Sequence, residues 1–285
     1  MLQFETAQDR LAREKKVNIL LTGPYGIGKT YAARTLDPAT TLFLDGEAGT
    51  LALEKSKDRD AWAGTTLDLK AQALKLNVHP WEMCRAIACV LHGPDTSQPS
   101  GPYSQLMYNN YVQIMCGGNP NLFDGFKTIF LDSATVASRW CFNWCLQQPE
   151  NISEKTKKLD TRSAYGMLGT QFVEWATYLQ HQKKNIIMAT LLDEESDEFK
   201  RKFFKLQLEG GQSREKLPGI FDVVLTLANV EFEGQGKHKV FVTQENNPFG
   251  YPAKDRSGLL EAFEQPDLGK LIKKIQGAQT QPIAA

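Results

Sequence analysis

The stretch Gly23-Pro24-Tyr25-Gly26-Ile27-Gly28-Lys29-Thr30 constrains this chain more than any other segment. It fits the phosphate-loop pattern Gly-x4-Gly-Lys-Ser/Thr. In that pattern glycines let backbone N–H groups wrap phosphates, a lysine meets the β and γ oxygens, and a hydroxyl binds magnesium. An apolar β-type run, Val17 to Thr22, precedes the motif, and the helix-compatible residues 29–36 follow it. The expected ligands are ATP and Mg2+, with Gly23, Pro24, Tyr25, Gly26, Ile27, Gly28, Lys29, Thr30 and Tyr31 around the nucleotide.

Apolar runs bounded by polar turns predict strands at Val17 to Thr22, Thr41 to Asp45, Thr128 to Asp132, Asn185 to Thr190, Asp222 to Ala228 and Lys237 to Thr243. The first four read as buried parallel strands, and Leu168, Phe172, Trp175 and Leu179 recur at the spacing of a crossover helix that covers such a sheet. The last two are joined by Asn-Val-Glu-Phe-Glu-Gly-Gln-Gly-Lys, whose glycines suit a hairpin. The fold class expected is α/β: a mixed, mainly parallel sheet flanked by helices and ending in antiparallel strands. Residues 61–125 break the strand–helix rhythm with one helix opened by Pro80 and a turn-rich stretch, so they read as an insertion. Residues 1–275 are expected to form one domain and 276–285 a flexible tail.

Composition narrows the partners little. Thirty-three basic residues balance thirty-three acidic ones, so nucleic-acid binding would need a local patch. The five cysteines form no C-x-x-C pair and the four histidines lack metal-ligand spacing. No apolar run approaches the roughly 18 residues of a membrane span, and the amino terminus lacks a signal-peptide centre. The expectation is a cytoplasmic protein with no membrane partner.

A phosphate loop needs a carboxylate that orients magnesium, and Asp132, ending an apolar strand, supplies it together with Thr30. Hydrolysis further needs a group that polarises water. AAA+ motors commonly carry a glutamate directly after that aspartate, but Ser133 stands there, so the base must come from elsewhere.

Three motifs in order resemble a RecA-type core: the phosphate loop, "LFLDGEAGT" after the second strand, and "FLDS" at the Walker B position. The resemblance puts the catalytic base at Glu47. Downstream, "YPAKDRSG" looks like the Lys-x-Arg elements of RecA-core ATPases, which implies that Lys254 and Arg256 act catalytically beside Lys29, reaching across a subunit interface to a neighbour's γ-phosphate. The layout resembles the phage-encoded RecA-core nucleotide-binding proteins of single-strand annealing and recombination, with Tyr165-Gly166 before a long helix and Pro266-Asp267-Leu268 near the end. Departures are the insertion and Thr190, where RecA-type proteins tend to carry a glutamine or histidine.

That resemblance implies a DNA-dependent ATPase in the host cytoplasm. Its implied partners are single-stranded DNA, further copies of the chain in a ring or filament, and a single-strand binding protein. Two locally basic segments correspond to the RecA DNA loops, giving Lys155, Lys157, Lys158, Arg162, Lys200, Arg201 and Lys202 as DNA contacts, with Lys205 in the same patch. Phe199, Phe203 and Phe204 could stack bases. Equally, residues 203–209 could form an amphipathic strand with Phe204, Leu206 and Leu208 buried. Two rivals remain: a nucleotide-switched scaffold without DNA-stimulated turnover, and a small-molecule kinase, for which lone Arg85 in the insertion offers no convincing lid.

Overall fold

A continuous apolar strand needs cover on both faces, and this chain supplies it unequally. The computed structural model describes residues 4, 6, 8–9, 15–153, 157–196, 198–200, 202–234 and 236–277. Lys155, Arg201 and residues 278–285 lie outside that set. The strands are β1 (Asn18–Gly23), β2 (Thr41–Asp45), β3 (Thr65–Asp68), β4 (Thr128–Asp132), β5 (Asn185–Ser196), β6 (Lys202–Leu206), β7 (Val223–Phe232), β8 (Gly236–Val242), β9 (Lys254–Asp255) and β10 (Phe263–Glu264). They form one sheet in the order β10-β8-β7-β1-β5-β4-β2-β3, with β6 on β5 and β9 on β7. The run from β7 to β3 is parallel, while β8, β9, β10 and β6 are antiparallel additions. This is the mixed, mainly parallel sheet expected.

Successive residues of a strand alternate between two cores. Ile129 and Leu131 face one, and Phe130 faces the other with Ile19, Leu21 and Phe43. The first face is thick: α2 (Leu69–Lys75), α3 (Pro80–His92), α4 (Gln105–Cys116), α5 (Ala134–Leu146), α6 (Thr161–His181) and α7 (Gly211–Ile220) contribute to it. The other is covered by the short α1 (Lys29–Ala32) and by α8 (Leu268–Gly277), through Leu268, Leu271, Ile272 and Ile275. The crossover helix read from Leu168, Phe172, Trp175 and Leu179 is α6, and all four side chains are buried. Tyr165 and Gly166 lie inside it, since Asp160 caps it by accepting the Ser163 N–H.

Residues 61–125 contribute more than one helix. β3 extends the sheet edge parallel to β2. Pro80 does open α3, where the His79 ring accepts the Trp81 N–H and the Glu82 carboxylate accepts the His79 N–H, satisfying two donors that a helix start leaves free. Trp81 is fully buried edge-on to Trp175, ring centroids 5.3 Å apart, and Tyr103 stacks on Tyr178 at 4.0 Å, so Tyr103 is a core residue.

β5 outruns its expected end at Thr190. Residues 192–196 pair with β6, and the diagonal pairs Glu194–Lys202 (2.6 Å) and Glu195–Lys205 (2.7 Å) remove the repulsion that an acidic strand would otherwise carry. The β7–β8 hairpin is antiparallel, as its glycines indicated. Among the described residues no helix is long and apolar enough to cross a membrane.

Candidate functional site

The phosphate loop leaves β1 at Gly23, beside the backbone of β7. A Cβ on Gly23 would stand 2.7 Å from the Leu227 carbonyl oxygen, so only glycine lets the loop start there. Gly28 has φ 104°, a left-handed value that glycine tolerates, and its carbonyl accepts the Ala32 N–H to begin α1. Lys29 is buried, and its ammonium donates to the Gly23 and Pro24 carbonyls at 2.9 Å each. An ammonium has three protons, so one stays available for a phosphate oxygen. Burial lowers the lysine pKa to about 8, against the opposing pull of the Asp132 and Glu47 carboxylates.

β5 separates β1 from β4, yet the Thr30 hydroxyl reaches across to donate to Asp132 Oδ2 at 2.5 Å. Asp132 is 3% exposed, and burial raises its pKa to about 6, helped by the Glu47 and Asp45 charges and opposed by the Thr30 hydrogen bond and Lys29. Two hard oxygen donors side by side, with surplus carboxylate charge around them, fit Mg2+, which takes one or two carboxylates and completes its shell with phosphates and water. Thr30 and Asp132 are the residues that would hold it.

β2 lies next to β4 with Asp45 in register with Asp132. Asp45 Oδ1 accepts the N–H groups of Glu47 (3.0 Å) and Gly49 (3.3 Å), which fixes the turn after the strand, and Gly46 N–H donates to the Asp132 carbonyl at 2.6 Å. The turn places exposed Glu47 so that Oε1 accepts the Ser133 hydroxyl proton. Ser133 also caps α5 by accepting the Val136 N–H, and the Asp132–Ser133 peptide is cis. Lys29, Thr30, Glu47 and Asp132 are therefore one constellation, drawn from the ends of β1, β2 and β4. Asp45 and Ser133 belong to it as positioning residues. Sequence reasoning named both but gave neither a role, although an aspartate two residues before Glu47 at a strand end was a signal for a turn-fixing side chain.

A family model described as an AAA domain matches residues 15–257. The chain belongs to that AAA domain family. Membership brings the chemistry of a P-loop ATPase, nucleotide binding and hydrolysis, typically with Mg2+. No curated protein matches the chain significantly. In this AAA domain a serine follows the buried Asp132, and the nearby Glu47 comes from the turn after the adjacent strand.

The remaining expected residues are distributed differently. Tyr25 is 89% exposed at the loop tip, whereas the Ile27 side chain turns into the core and offers the nucleotide only backbone. Tyr31 carries the Arg59 and Arg34 guanidinium groups at 5.0 and 5.8 Å from its ring centre. Thr190 is buried, its hydroxyl 3.2 Å from that of Thr135. Arg85 lies over the Trp144 ring at 4.3 Å and donates to Gln171, buried and far from any lid role.

Lys254 donates to the carbonyls of Pro218, Gly219 and Phe221, and Arg256 donates to Gly219 and faces Asp222 at 3.6 Å. Burial and the Arg256 charge lower the Lys254 pKa. β9 pairs with Val223 and Val224 at the start of β7, where Val224 is in register with Leu20. The basic pair is thus at the sheet edge opposite the one that carries Gly23.

Tyr165, Asp193, Gln207, Gly211 and Arg214 line a cavity of about 450 Å3, and among the described residues none of the expected DNA contacts is in its lining. Lys157, Lys158, Arg162 and Lys200 sit in or beside the two basic segments, while Lys202 is neutralised by Glu194. Leu206 and Leu208 are buried and half-buried Phe204 rests on Tyr251 with ring centres 4.5 Å apart, so the amphipathic-strand alternative holds as far as Leu206, where β6 ends. Phe199 is 76% exposed.

Proposed function

We propose that this protein is a magnesium-dependent ATPase of RecA type that acts on single-stranded DNA in phage-type recombination or strand annealing and assembles as a ring or filament. The observation that carries the reading is Glu47. It stands in the turn after the strand next to that of Asp132, fixed by Asp45 and Ser133, in a chain whose Walker B aspartate has no glutamate after it. Lys29 would bind β and γ oxygens, and Thr30 and Asp132 would hold magnesium, which neutralises phosphate charge. Glu47 would accept a proton from the water that attacks the γ-phosphorus, with ADP leaving from the opposite side. Arg256 of an adjoining copy would add positive charge to the transition state. Lys157, Lys158, Arg162 and Lys200 would track the DNA phosphates.

A specific observation favours a second reading, a nucleotide-switched scaffold without DNA-stimulated turnover. Lys202 and Lys205 already hold carboxylate partners in the β5–β6 hairpin, which lowers the charge it offers to DNA. ATP hydrolysis by the full chain, with and without single-stranded DNA, separates the two. DNA-stimulated turnover that Glu47→Gln and Arg256→Ala both abolish supports the RecA-type motor. Tight ATP binding with negligible turnover in every condition supports the scaffold.

A further inference from the structure

The β7–β8 hairpin has no task in the reading above, yet it stands over the phosphate loop. β1 ends at Gly23 against Leu227, so the part of β7 beyond Leu227 projects past the loop together with the first half of β8. In the sheet, β7 lies on one side of β1 and β5, β4 and β2 on the other. Thr30, Asp132 and Glu47 therefore flank the loop on one side and the hairpin flanks it on the opposite side.

Lys239 belongs to β8, opposite neutral Asn229. Its neighbours Val240 and Val242 turn to a small apolar core, whereas Phe241, two residues on, shares the face that carries α1. Lys239 is thereby directed to the face of the loop, and its Nζ stands 3.5 Å from the position that a Cβ on Gly28 would take. It is exposed, and among the described residues it joins no ion pair. An ammonium without a counter-charge, set against a glycine of a loop that cradles phosphate, is chemically an anion ligand.

We propose that Lys239 is a nucleotide-binding residue, donating from the β7–β8 hairpin to the phosphate chain of a nucleoside di- or triphosphate on the flank away from the magnesium pair. This rests on the nucleotide reading of the loop. Because the contact lies away from Thr30 and Asp132, it is made to oxygens that ADP and ATP share, so Lys239 sets affinity for both nucleotides alike. The hairpin then serves as a wall of the site.

Titration of the full chain with ADP and with ATP, in Mg2+, tests the assignment on Lys239→Gln, Lys239→Arg and Lys237→Gln. Loss of one charge-assisted contact at an exposed site should raise both dissociation constants about tenfold. Lys239→Arg should recover most of the affinity, and Lys237→Gln, whose residue faces Glu231 across the ladder, should stay within about twofold of wild type. Unchanged affinities in Lys239→Gln, while Lys29→Ala loses binding, overturn the proposal and leave the nucleotide site standing. Weakening of ATP alone overturns the flank assignment. A wild-type chain that binds neither nucleotide removes the site and the proposal together.

Discussion

Asp132→Asn probes the electrostatics of the site before any turnover is measured. The carboxyl is buried at the end of β4 near the Glu47 and Asp45 charges and ionises at about 6, where an unfolded chain would ionise it near 3.8. Between those values the folded chain keeps a proton that the unfolded chain has released. Stability therefore falls as pH rises through that window and stays lower above it. At pH ~7.5 the ionised group costs about 3 kcal/mol, at about 1.4 kcal/mol for each tenfold change in ionisation. Asparagine keeps the shape, still accepts the Thr30 proton and carries no charge. Lys29 loses a compensating charge in exchange, which takes back part of the gain. The net expectation is a variant more stable by about 1–3 kcal/mol at pH ~7.5, with the gain roughly halved at pH ~5. Urea denaturation at the two pH values measures it, and magnesium should cease to strengthen ATP binding in the same variant. A variant less stable than wild type at pH ~7.5, or a gain equal at both pH values, refutes the reasoning.

The same two groups set the pH dependence of catalysis: kcat/KM for ATP should fall below about 6, as Asp132 takes up its proton, and above about 8, as Lys29 loses one. A flat profile across that range contradicts both assignments. Lys254→Met removes the donor shared by three carbonyls at the end of α7 and should cost about 1–2 kcal/mol in urea denaturation; no measurable loss would mean that water serves those carbonyls equally well. Glu194→Gln with Glu195→Gln frees Lys202 and Lys205, so single-stranded DNA should bind about threefold or more tighter at low salt, with a steeper salt dependence. Equal binding by filter or anisotropy assay would take the hairpin out of the DNA surface.

Legibility followed burial. β2 and β4 were readable to the residue because a strand covered on both faces is an unbroken apolar run stopped by its first charge, here Asp45 and Asp132. β3 was not, because Thr-Thr-Leu-Asp is a short, largely exposed edge strand with little apolar signal. In the sequence β5 reads as stopping at Thr190, since Asp193, Glu194 and Glu195 look like a loop until the cations of β6 stand beside them. Within the site, Gly23, Gly28, Lys29 and Thr30 share one contiguous motif, and Asp132 was marked by the charge that ends its strand. The turn that Asp45 fixes, the Ser133 contact to Glu47 and the approach of Lys239 to Gly28 depend on which strands are neighbours, and a linear pattern does not encode that order.

Sheet polarity turns the subunit-bridging role proposed for Arg256 into a decisive experiment. Gly23 leaves the carboxyl end of β1, whereas β9 is bonded to the amino end of β7, in register with the beginning of β1. Arg256 follows β9 and is held there by Gly219 and Asp222, so it faces away from the phosphate loop of its own chain. If it serves catalysis, it serves the loop of another copy, and the contact joins unlike edges of the two chains. Such a head-to-tail interface closes into a ring or continues as a filament. Chains carrying Arg256→Ala keep Glu47, and chains carrying Glu47→Gln keep Arg256, so each pure variant should be inactive. In an equal mixture, random neighbours would rebuild about a quarter of the sites from one Glu47 and one Arg256 on adjoining chains. ATPase activity restored to about that fraction on mixing supports action between copies. A mixture as inactive as its components, or an Arg256→Ala chain with full activity alone, removes Arg256 from catalysis and leaves it to hold the end of α7 with Lys254.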